Sequence, residues 1–167
     1  MNQADITVHD RPVVDAALTE SERTGGPAAA LELPDGSIVT GKTSDLLGAC
    51  SALLLNALKE LAGIGHEIKI ISPQAIEPIQ SLKTKYLGSR NPRLHTDEVL
   101  IALSVSAATS KDAKLAMEQL PKLKGCQAHV SVMPGSVDIK QFKLLSIQAT
   151  FEAKYEKNSV FFNNKGV

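Results

Sequence analysis

The sequence predicts a three-layer α/β/α domain built around a mixed β-sheet. Three features predict it: strand-like runs recur between helix-like segments, the first two runs flank a tight turn, and the later ones are separated by helices. The 167 residues suit a single domain with a substantial core. Shares of 43% apolar and 22% charged residues are those of ordinary globular material.

Taken in order, residues 1–11 read as a flexible arm, 12–156 as one α/β domain, and 157–167 as a loose tail whose Val160-Phe161-Phe162 suits docking on a neighbour. Pro12 to Arg23 is predicted helical, started by Pro12 and stopped by Gly25-Gly26-Pro27. Ala28 to Leu33, the turn Pro34-Asp35-Gly36 and Ser37 to Thr40 read as a β-hairpin. Thr43 or Ser44 is expected to cap the next helix, which runs to about Leu61 and ends at Gly63. Its apolar residues leave little room for a wet face.

Glu67 to Ile71 is a predicted short strand, and Ser72-Pro73 opens a helix carrying Ile76, Ile79 and Leu82. After a polar loop from Gly88 to Arg93, Thr96 is expected to cap a helix with Val99, Leu100, Leu103 and Val105 on its apolar side. Ser110-Lys111-Asp112 interrupts it and Pro121 stops it. Alternation marks strands at 128–133 and 147–152, with a short helix from Val137 to Leu145 between them.

Lysine plus arginine and aspartate plus glutamate both number 18, so the global basic field of most nucleic-acid binders is missing and no nucleic-acid partner is expected. The apolar stretch from Leu46 to Leu61 is too short and too interrupted to span a bilayer, so no membrane partner is expected. Cys50 and Cys126 lack framework spacing and read as reduced thiols. Met1 to Asp5 carries no secretory pattern. Both observations point to the cytoplasm.

Gly36 to Thr43 satisfies the phosphate-binding pattern G-x4-G-K-[ST]. That pattern needs a loop of amides after a strand, whereas Ser37 to Thr40 are themselves strand-like and Gly36 serves the hairpin turn. The match is read as accidental. A weaker expectation survives: Gly41-Lys42-Thr43-Ser44 precedes a helix, where free amides and Lys42 would suit an anion.

A second polar run spans Arg90 to Glu98. Helix capping accounts for Thr96, Asp97 and Glu98. Arg93 and His95 are different, because a helix N-terminus favours negative charge; they imply an anionic ligand or a carboxylate partner. Lys124 leads into Cys126-x-x-His129, a metal-like spacing. One pair does not make a site, so no metal is expected; a Cys–His nucleophilic pair is the other use, against which residues three apart entering a strand face opposite ways.

The order hairpin, helix, strand, helix resembles the cytidine-deaminase-like fold. Zinc deaminases of that fold carry H-x-E and P-C-x-x-C at the starts of two core helices. Thr43-Ser44-Asp45 and Ser72-Pro73-Gln74 stand at those places and supply neither imidazole nor thiolate. The resemblance therefore implies the scaffold without its zinc motif, and no cofactor.

Longer runs are more specific. Leu33-Pro34-Asp35-Gly36, Thr40 to Gly48, Asn56 to Lys59, Lys83 to Gly88, Asn91 to Glu98 and Leu120 to Cys126 resemble the C-terminal domain of the bacterial family called "domain of unknown function 1846". The likeness runs from about Pro12 to Tyr155. Val130 and Ser146 depart from that pattern, which has a small hydroxyl residue and glycine there. Members are much longer, so the resemblance implies the rest of a full-length chain, or a homo-oligomer, as partner.

Two readings of function follow. In the first, Lys42, Thr43, Ser44, Arg93, Lys124 and His129 bind an anionic or phosphorylated small molecule, with His95 as acid or base. In the alternative, this is a non-catalytic structural or oligomerisation domain of a longer protein. Convergence of Lys42, Arg93, His95 and His129 on one pocket discriminates between them.

Overall fold

The computed structural model describes residues 11–154. Apart from Arg11, the expected arm and tail lie outside the described residues. Helix α1 (Pro12–Thr24) follows its local signals: Arg11 is the N-cap, Pro12 opens the first turn, and Gly25 ends the helix in the left-handed region at φ 78°. Strands β1 (Ala28–Glu32) and β2 (Ile38–Lys42) form the predicted hairpin. Asp35 Oδ1 accepts from the Ser37 amide and hydroxyl. Gly36, at φ 88°, donates its amide to Leu33 O at 2.9 Å.

Two later strands, β3 (Gln127–Val130) and β4 (Gln148–Phe151), complete a four-stranded mixed sheet in the order β2-β1-β3-β4. β1 runs antiparallel to both neighbours, with Ala30 opposite Thr40 on one side and His129 on the other; β3 and β4 are parallel. Side chains of β1 alternate between two cores. Ala29 and Leu31 belong to the main one, whereas Ala30 packs with Val13 and Ala17 of α1. Helix α2 (Ala49–Ala62) covers β1 and β2 on the main-core face.

Helix α3 (Pro73–Ser81) passes into a π-helical turn over Leu82–Tyr86. Helix α4 (Thr96–Ser106) packs against α2, α5 (Lys111–Met117) and α6 (Ser136–Leu144), α5 also packs against α2, and α6 reaches β4. The predicted break at Ser110 is the N-cap of α5, its hydroxyl accepting from the Ala113 amide. Leu53, Leu54, Leu58, Leu94 and Leu103 are fully buried at the centre of this layer. Each such side chain contributes about 2 kcal/mol of burial free energy. No helix among the described residues is long and apolar enough to cross a membrane.

Three expectations are corrected. α2 starts at Ala49 after Gly48, not at Thr43 or Ser44. The reason is tertiary: Leu46 O accepts from the Leu94 amide and the Gly48 amide donates to Leu94 O, holding 46–48 beside 94 as a parallel bridge. Glu67–Ile71 is not a strand: the Ile68 amide donates to Gly65 O and Lys59 Nζ to His66 O, which fold the segment against the end of α2, and it pairs with neither edge strand of the sheet. The chain turns there instead, and Ile70 and Ile71 are buried against the domain. Thr96 is the first residue of α4 rather than its cap; His95 takes the cap position.

Ser146, between α6 and β4, is the only described non-glycine residue at positive φ, 59°. Its carbonyl accepts from the Gly125 amide at 2.8 Å, which holds the turn in place. A β-carbon in this region costs about 1–2 kcal/mol, partly offset by the backbone freedom that glycine loses on folding. Ser146→Gly is expected to stabilise the domain by about 0.5–1 kcal/mol, read as a higher urea midpoint at unchanged m-value.

Candidate functional site

The starts of α2, α4 and α6 meet in one corner. Ser51 Oγ donates to Leu94 O at 2.8 Å, tying α2 to the segment that enters α4. Asp138, in the first turn of α6, accepts at Oδ1 from the Thr96 amide at 3.0 Å and hydroxyl at 2.8 Å. Cys50, at the start of α2, is buried; that burial pushes its thiol pKa well up, and the Asp138 charge adds to it. The N-terminal end of α4 thus already holds an acceptor from the protein itself.

Beside this junction lies a polar cluster. Lys83 is buried; its Nζ donates to Arg93 O at 2.6 Å and to Glu98 Oε1 at 2.9 Å. The same carboxylate accepts from the His95 amide at 2.8 Å and lies 3.3 Å from His95 Nδ1. Burial pushes the Glu98 carboxyl up, but the His95 amide, the Lys83 ammonium and the His95 ring outweigh it and hold the group below its ordinary value. Arg93 Nε donates to Ser44 O at 2.6 Å, joining the loop before α2 to the loop before α4. His95 thus has the carboxylate partner that its sequence context implied.

Of the remaining predicted site residues, Ser44 reaches this corner through its carbonyl, whereas Lys42, Lys124 and His129 are not brought to it. Lys42 ends β2 opposite Ala28, whereas Lys124 lies near Gln127, which pairs with Glu32 at the other end of β1. Four residues of strand separate those ends by about 13 Å. Lys124 lines a shallow depression with Glu32, Pro34 and Gly36. The Thr43 and Ser44 amides are not free for an anion: they donate to Pro27 O and Leu47 O, at 3.1 and 2.9 Å. Gly41 lies within β2 and Gly36 in the turn, so no phosphate-binding loop forms.

His129 is fully buried on the sheet face that α1 covers, and Cys126 belongs to the core on the opposite face. Its Nδ1 lies 2.7 Å from Thr150 Oγ1, and its Nε2 lies 2.8 Å from Glu152 Oε2. Arg11 joins the same group, donating to Thr150 Oγ1 at 2.6 Å and Ala128 O at 3.2 Å. Burial also pushes the Cys126 thiol up, with a smaller push from Glu32. No group of three or more His, Cys, Asp or Glu side chains among the described residues is placed to hold a metal.

Sequence reading missed Lys83 and Asp138. Asp138 had a signal, a carboxylate in a helix's first turn. Lys83, between Leu82 and Thr84, is passed over because a lysine at a helix end reads as exposed.

Fold and corner together define an α/β domain whose helix starts are tied by internal carboxylates. A family model described as "Domain of unknown function DUF1846, C-terminal" matches residues 9–161, and the chain belongs to this family. A UPF0371 protein of Corynebacterium glutamicum is 56% identical over 161 residues, covering 96% of this chain and 32% of the relative. A UPF0371 protein of Streptococcus thermophilus is 48% identical over 161 residues, covering 96% of this chain and 33% of the relative. The chain therefore spans about a third of the length of the curated relatives it matches.

Proposed function

We propose that this domain is a docking module of a longer protein, seated against the rest of that polypeptide through the outward face of α4. One observation carries the reading: Ile101 and Val105, one turn apart on α4, are 62% and 68% exposed, and the exposed Ala108 continues the stripe. Val99, Ala102 and Leu103 bury the opposite side, so α4 is apolar on both faces with only one covered. Such a helix belongs in an interior. The relatives supply the occupant, since about two-thirds of their length lies outside the matched region. An apolar helix face from that remainder fits the stripe.

The test joins this chain to the remainder of the C. glutamicum relative, in place of its matching third. Ile101→Glu with Val105→Glu is expected to leave the 167-residue chain within about 0.5 kcal/mol of its original stability, as for exposed sites. In the chimera the same pair is expected to expose α4 to hydrogen exchange. Equal α4 exchange with and without the pair sinks the reading. Self-association of the 167-residue chain, abolished by the pair, would redirect it to a homo-oligomer.

A second reading rests on Arg93 and His95. Arg93 uses only Nε on Ser44 O, its other guanidinium nitrogens have no protein partner among the described residues, and the His95 side chain is 39% exposed. This pair suits an anion at the mouth of the corner, with His95 as acid or base. Inorganic phosphate should then shift the Arg93 and His95 resonances, and Arg93→Gln should remove the shift. The hairpin with α2 packed across it supports a deaminase-like scaffold, and the helix-start corner is where such a scaffold would keep a site.

A further inference from the structure

The segment predicted as a strand has a different use. Ile70, Ile71, Pro73 and Ile76 form one wall of a cleft whose other wall is Leu46, Leu47 and Leu55. The cleft is open to solvent on one side and offers about 150 Å³. A space of this order holds about one benzene-sized group. Lys59, Lys69 and Asn56 supply its polar lining.

Two independent features make the cleft more than a packing defect. The first is charge. Lys59 is buried and donates to His66 O at 2.7 Å, which leaves two of its three donors unspent. Burial pushes its ammonium pKa down, Glu67 partly offsets this, and the neighbouring Lys69 charge pushes it down further. Two ammonium groups with one acidic neighbour leave a surplus of one positive charge beside an apolar surface.

The second feature is the main chain. The amides of Lys69, Ile70 and Ile71 have no protein acceptor among the described residues, although Ile70 and Ile71 are only 4% and 5% exposed. Lys69 is exposed and its amide can meet water, but donors of the two buried isoleucines need partners. The segment pairs with neither edge strand of the sheet, so no ladder supplies them.

We propose that this cleft binds a small free monocarboxylic acid with a compact apolar body, of about the size of benzoate. The carboxylate meets Lys69, the unspent donors of Lys59 and the free amides, while the apolar body fills the space between Leu46, Leu55 and Ile76.

The test uses the 167-residue chain with benzoate and its neutral counterpart, benzyl alcohol, read by saturation-transfer NMR and thermal shift. Benzoate is expected to bind at about millimolar concentration, in keeping with so small a ligand. Benzyl alcohol should bind about tenfold more weakly, because it lacks the charge-assisted bonds. Lys69→Met should weaken benzoate by a similar factor, and Ala52→Leu, on the cleft wall, should abolish its binding. Both variants are checked for an unchanged circular-dichroism spectrum. Benzoate binding undiminished in both variants, equal binding of benzyl alcohol, or no benzoate binding to the unmodified chain would each overturn the proposal.

Discussion

Gly41→Ala is expected to destabilise the domain by about 3 kcal/mol or more. A β-carbon at Gly41 would fall against the Leu53 amide nitrogen, 2.6 Å from Leu53 Cα and 2.9 Å from Ala49 O. All three are backbone atoms of α2, which cannot step aside without lifting the helix off β2. Overpacking that moves only side chains costs about 1–3 kcal/mol; moving a helix backbone belongs at the upper end or beyond. Gly36 is the control from the same motif. Nothing lies within 4 Å of its virtual β-carbon, so Gly36→Ala should cost only the positive-φ penalty, about 1–2 kcal/mol. Urea unfolding of both variants separates the effects. Equal, small losses would mean that α2 does not rest on Gly41.

Lys83→Met carries the second large effect, about 3 kcal/mol at pH 7. It leaves the partly buried Glu98 carboxylate without its ammonium partner and Arg93 O without a donor. The pH dependence gives a sharper signature. The Glu98 pKa is lowered in the folded state, so its contribution is fully present above the ordinary carboxylate value of about 4.3 and is lost as pH falls through the lower folded value. Without Lys83 only the His95 amide and ring oppose the push of burial, so that pKa rises from its folded value and acidification relieves a weakly paired charge. The deficit of Lys83→Met should therefore shrink between pH 7 and pH 4, and Glu98→Gln added to it should recover part of the loss. Denaturant titrations at the two pH values read both effects. A deficit independent of pH would assign the loss to packing of the lysine stem alone.

The three features of the Lys42 motif show why a matching pattern is not a site. Gly36 turns a hairpin, Gly41 makes room for a helix, and Lys42 ends an edge strand. The residues match because the same small set of amino acids solves several backbone problems. Arg93 and His95 lead elsewhere, because basic groups at a helix start are unusual enough to demand partners. Ser44 O and Glu98 supply them.

What the sequence determined by itself was whatever local chemistry decides. Pro12 and Gly25 bound α1, Pro34-Asp35-Gly36 sets the hairpin, Ser110 restarts the helix at α5, and alternation marks β3 and β4. Resemblance in the longer runs also placed the chain in its family. Tertiary structure decided the rest. Leu94 captures the backbone of 46–48 and delays α2 to Ala49, and the turn from Gly65 to Ile68, with Lys59 bonded to His66 O, keeps Glu67–Ile71 out of the sheet. The fold likewise buries Lys83 and His129 and separates Lys42 and Lys124 across the sheet. The physical reason is common to all of these. A helix cap or a turn is settled by neighbours in sequence, whereas strand partners, burial and charge pairing depend on residues that only the folded chain brings together.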